Sequence, residues 1–114
     1  MLEAAEQRIL VRWMNARGLF FFSVPNEAAK DGIATNKLKL MGLSPGAPDI
    51  VLVSPCPATE EVICVEMKKA KGGVVSPEQK AWHAKAKRNG WLVLVCHGAK
   101  EAIKKLSLLY GLEP

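Results

Sequence analysis

Apolar and polar positions along the chain change period several times, and each change marks an element. Over residues 2–17, Leu2, Glu6, Ile9, Leu10 and Trp13 follow the i, i+3, i+4, i+7 stripe and Gly18 follows as a stop, which predicts a helix. The aromatic and β-branched run 19–24, bounded by Gly18 and Pro25, predicts a strand. Residues 25–46 are polar and rich in turn formers, with a short helical pattern around 35–41 ended by Gly42. After the rigid turn Pro45-Gly46-Ala47-Pro48, residues 49–53 predict a buried strand, 55–60 a loop, and 62–68 its antiparallel neighbour. Ser76-Pro77-Glu78-Gln79 combines an N-cap, a proline suited to the first helical position and the second half of a capping box, so a helix runs from there to about Asn89 and Gly90. The continuous apolar run 91–96 predicts a strand parallel to the preceding one through a right-handed crossover. A last amphipathic helix carries Ala102, Ile103, Leu106, Leu109 and Tyr110 as its core stripe. The expected fold is α/β: a mixed central sheet flanked by helices, in the order helix, three strands, helix, strand, helix.

That order brings specific side chains together. Residues alternate faces along a strand, so Val62, Cys64, Glu66 and Lys68 share one face, with Glu66 and Lys68 roughly 7 Å apart. Asp49 opens the neighbouring strand. Three charged groups therefore meet at adjoining strand ends. Glu6 lies on the apolar stripe of the first helix, where an unpaired carboxylate is costly; it either pairs at the rim of that face or belongs to a site. On the second helix, Gln79, Trp82 and Ala86 form the stripe expected to face the sheet.

Composition adds limits. With 114 residues, 49% hydrophobic and 24% charged, the chain has ordinary globular composition and the size of a single domain spanning 1–114. No apolar run approaches the length of a spanning helix, and the acidic start Met1-Leu2-Glu3 is unlike a signal peptide. Cys56, Cys64 and Cys96 lack CxxC spacing and read as buried free thiols of a reducing compartment. The expected location is intracellular: the cytoplasm of a bacterium, or of the host if the chain is phage-encoded. Net charge is +5, and the excess is concentrated: seven Lys/Arg stand against Glu66 and Glu78 between residues 66 and 90. Such a field suits a polyanion, though a solvated helix face with a lysine-rich turn reads the same way.

Asp49 and Glu66 are hard oxygen donors of the kind that hold Mg2+ or Mn2+ together with waters and a substrate phosphate. Lys68 is positioned to stabilise charge on the phosphate or to orient water. His83 and His97 have no zinc-site spacing with each other or with a cysteine, and Gly72-Gly73 lacks the ending of a phosphate loop, so zinc chemistry and a nucleotide cofactor are poor readings.

Taken together, Glu6, Gly46-Ala47-Pro48-Asp49, Glu66-Met67-Lys68 and Ser76-Pro77-Glu78-Gln79 with Trp82 resemble the VRR-NUC (virus-type replication-repair nuclease) branch of the PD-(D/E)XK nucleases. The resemblance covers nearly the whole chain and is firmest over 46–98. It implies a restriction-endonuclease-like αβββαβ core with an added C-terminal helix. It implies metal binding by Asp49, Glu66, the Met67 carbonyl and Glu6, a catalytic Lys68, and Gln79 projecting into the site; Glu3, one turn from Glu6, is the other candidate for the helix acid. DNA contacts fall at Asn26 and Lys39 by the same resemblance, with Lys69 and Lys71 in the basic turn beside the site. The implied function is a Mg2+- or Mn2+-dependent DNA endonuclease, acting as a homodimer on branched DNA in the manner of a Holliday-junction resolvase. The alternative is a DNA-binding module of the same fold that does not cut, or cuts only with a partner.

Overall fold

The computed structural model describes residues 3–24, 37, 39–42 and 44–114. Helix α1 spans Glu3–Ala16, and strands β1 (Phe21–Ser23), β2 (Ile50–Leu52) and β3 (Ile63–Lys68) follow. Helix α2 (Pro77–Arg88), strand β4 (Leu92–His97) and helix α3 (Ala99–Tyr110) complete the chain. The sheet is four-stranded in the order β1-β2-β3-β4. β1 and β2 pair antiparallel, as do β2 and β3, whereas β3 and β4 are parallel. This is the mixed sheet flanked by helices that the sequence predicts. β1 is shorter than the expected 19–24; Phe20 lies just before it, with its N–H on the Ser54 hydroxyl at 2.8 Å.

The two faces of the sheet do different work. Ile50, Leu52, Ile63, Val65, Met67 and Cys96 point to one side and bury against Leu10, Trp13 and Met14 of α1 and Ala99, Ala102 and Leu106 of α3. Burial of this kind contributes roughly 1.5–3 kcal/mol for each large apolar side chain. The opposite side, with Cys64, Glu66 and Lys68, faces α2. The α1 stripe is turned slightly from expectation: Met14 is fully buried, while Ile9 is exposed. Helical spacing allows either, since Met14 is four residues beyond Leu10 and completes the 10, 13, 14 set that reaches the sheet.

Local chemistry fixes α2 beside the strand ends. Gln79 N–H donates to the Ser76 hydroxyl at 3.2 Å and Ser76 N–H to Gln79 Oε1 at 2.9 Å, a complete capping box. Gly46 adopts φ +85°, and a Cβ there would overlap the Glu78 carbonyl, so only glycine lets the turn before Asp49 press against the first turn of α2. The Trp82 indole N–H donates to Ser44 Oγ at 2.9 Å and pins the same turn one step earlier. All three cysteines are free and buried. Burial pushes the Cys64 and Cys96 thiols up to about 11, which leaves them protonated and unreactive at neutral pH. Among the described residues no helix is long and apolar enough to cross a membrane.

Candidate active site

β2 and β3 set the geometry. Ile50 pairs with Val65, and one further step of that register sets Asp49 opposite Glu66. Asp49 N–H donates to the Val65 carbonyl at 3.1 Å, so the chain is still in ladder geometry there. The Asp49 side chain is also held: its Oδ2 accepts the Met67 N–H at 2.7 Å. That bond fixes the carboxylate against β3. Met67 thus contributes its N–H to this arrangement, whereas the resemblance assigns its carbonyl to the metal.

Glu66 is only 2% exposed, although a carboxylate is costly to bury. Lys68 follows on the same face, and its Nζ donates to Gln79 Oε1 at 2.7 Å. One amide oxygen therefore closes the α2 capping box and anchors the lysine. This ties the start of α2 to the end of β3. The following turn is folded back tightly, since a Cβ on Gly73 would come within 2.8 Å of Lys68 Cβ. The Gly73 carbonyl lies 3.2 Å from His97 Nε2, across from Lys68 in the β3–β4 register.

Glu6 has a different partner. Its Oε2 accepts the Ala99 N–H at 2.8 Å, so it caps the first turn of α3, whose own N-cap residue is Gly98 with no side chain to offer. A negative charge at a helix N-terminus is favoured by the helix dipole. Glu6 is therefore at home on its stripe through a backbone donor rather than a basic residue. Lys39, Lys69 and Lys71 are all exposed. Asn26 lies outside the described residues.

His83 is the residue that the sequence pattern passes over. It is 7% exposed on the sheet-facing side of α2, and its Nε2 lies 3.5 Å from Glu66 Oε1. Position 83 is four beyond Gln79 and three before Ala86, so the stripe through Gln79, Trp82 and Ala86 already includes it. Burial first, then the Lys87 and Lys68 cations, holds the His83 pKa below the ordinary histidine value. At 3.5 Å the two groups are in contact but lie beyond the length of an N–H···O bond.

No three His, Cys, Asp or Glu side chains converge closely enough among the described residues to hold a metal ion by themselves. Asp49 and Glu66 supply two carboxylates, the number on which a hard divalent ion commonly relies when waters and substrate phosphate complete its shell. Their oxygen chemistry and the buried position of Glu66 fit such an ion. The neighbouring Lys68 ammonium suits an anionic substrate.

A sequence model described as the VRR-NUC domain matches residues 2–100. The fold is similar to that of a solved VRR_NUC domain protein, with a TM-score of 0.80 and 21% identity over 98% of this chain and 90% of the other. No curated protein matches the sequence.

Proposed function

The chain belongs to the VRR-NUC domain family, and on that premise we propose that it is a divalent-metal-dependent DNA endonuclease, structure-specific for branched DNA. The family implies a nuclease of the PD-(D/E)XK type with DNA as substrate. In this reading the ion is Mg2+ or Mn2+, the preferred substrate is a junction and the working form is a homodimer. One observation carries it: a carboxylate held against β3, a buried glutamate opposite it, and a lysine two residues on, anchored to the helix that follows.

In this reading Asp49 and Glu66 hold the divalent ion, and Lys68 stands beside the scissile phosphate. When bound, the ion supplies Lewis-acid stabilisation of charge on the phosphodiester and activation of water. The Met67 N–H keeps Asp49 from rotating. Gln79 keeps the Lys68 ammonium at the site, where it stabilises the charge that develops on the phosphoryl oxygens. Lys39, Lys69 and Lys71 contact the DNA backbone, as does Asn26. A two-fold dimer would present two such sites to opposite strands of a junction.

The second reading, a binding module that does not cut alone, draws on Glu6. Its carboxylate is engaged by the Ala99 N–H. With Oε2 on the Ala99 N–H, Oε1 alone would be left to serve as a third acid at the metal. Incubation of the protein with single strands, duplexes, flaps and four-way junctions, with and without Mg2+ or Mn2+, separates the two. Metal-dependent cleavage, fastest on the junction, is expected; tight binding without cutting on any substrate would favour the module.

A further inference from the structure

We propose that His83 is a positioning residue that holds the Glu66 carboxylate in its metal-binding orientation. This rests on Glu66 being a metal ligand. The geometry that points to it is a match of spacings between α2 and β3. Gln79 and His83 are four residues apart on the helix, a rise of about 6 Å. Their counterparts Lys68 and Glu66 are two apart on the strand, about 7 Å. Because the helix runs back along the strand, consecutive turns of α2 meet alternate residues of β3: Gln79 meets Lys68 and His83 meets Glu66.

The first of these contacts is a hydrogen bond of 2.7 Å, whereas the second, at 3.5 Å, is longer than an N–H···O bond. His83 Nε2 is inaccessible to solvent and makes no hydrogen bond among the described residues. A buried polar nitrogen of this kind is rare unless it serves a purpose. Its nearest acidic atom is Glu66 Oε1. By closing the gap to that oxygen with its N–H, the imidazole would restrict rotation of the carboxylate and leave the other oxygen a defined direction. Partners of metal ligands act in this way, and losing one typically weakens metal binding 10–100-fold.

The test is Mn2+ affinity by isothermal titration calorimetry, with thermal unfolding of the metal-free proteins alongside. His83→Leu and His83→Phe remove the donor while filling the space; His83→Gln returns an N–H at a similar reach. Both apolar variants are expected to bind Mn2+ on the order of 10–100-fold more weakly, and the glutamine variant within about threefold of wild type by the same reasoning. The metal-free melting temperatures should not follow this order. Wild-type affinity in a folded Leu or Phe variant would overturn the inference, as would a folded Gln variant as weak as the apolar ones. If the wild type itself binds no Mn2+, the metal reading and this inference both fall.

Discussion

Gln79 shows how much one side-chain atom can carry. Its Oε1 accepts both from Ser76 N–H and from Lys68 Nζ, so fold and site share an acceptor. Replacement by Ala should cost about 1 kcal/mol of stability through the lost half of the capping box. It should also lower cleavage well beyond what that loss of stability explains, because Lys68 loses its anchor; denaturant unfolding and initial rates measured together separate the two effects. Glu6→Ala should likewise cost about 1 kcal/mol, since the Ala99 N–H at the start of α3 loses its acceptor. At this scale the sequence is legible where a rule is local. Strand alternation brings Glu66 and Lys68 to one face, and capping chemistry identifies Gln79. The Ala99 partner of Glu6 is 93 residues away in the chain, and the Ser44 partner of Trp82 is 38 away, so neither follows from local pattern. His83 was within reach of the helical period, but its significance depends on Glu66 standing behind it.

Among the elements, the turn before β2 and the last helix give separate expectations. Gly46→Ala adds a Cβ at φ +85° against the Glu78 carbonyl, and both the strain and the clash fall on backbone. A loss of about 1–3 kcal/mol in denaturant unfolding is expected, with a displaced Asp49 and reduced cleavage. Tyr110 on α3 donates its hydroxyl to the Ser54 carbonyl at 2.6 Å, and burial first, then Cys56, pushes its pKa up to about 12 from 10.0. The folded state therefore holds this proton more tightly than the unfolded chain. The stabilisation is complete below about pH 10 and is lost as pH rises towards about 12. Cys64 and Cys96, raised to about 11 from 9.0, add to the alkaline fall. Tyr110→Phe should flatten the upper part of that decline in pH-dependent melting curves. Every strand and long helix was visible as a change of period in the sequence. Their ends were less so: Phe20, just before β1, gives its N–H to the Ser54 hydroxyl 34 residues away, a partner that no local pattern announces.

For the whole molecule, the sheet divides a packed apolar core from a charged face that α2 and the lysine-rich turn surround. Electrostatics of that face govern substrate binding in the proposed account. DNA affinity should fall linearly with salt on logarithmic axes, and the double variant Lys69→Ala, Lys71→Ala should reduce the slope by about 2 if each lysine meets one phosphate. Net charge and the clustered lysines made a polyanion readable from the sequence; the structure of a preferred DNA does not follow from charge. Phe22 on the edge strand and Phe20 just before it are 51% and 67% exposed. The most direct measurement is the nicking rate of Lys68→Ala beside wild type, on a four-way junction at saturating Mg2+ or Mn2+, with DNA affinity measured in parallel. A fall of about 100-fold or more is predicted, while affinity changes little because a single ammonium among many cations is lost. Equal cutting by the two proteins would contradict the assignment of the chemistry to this site.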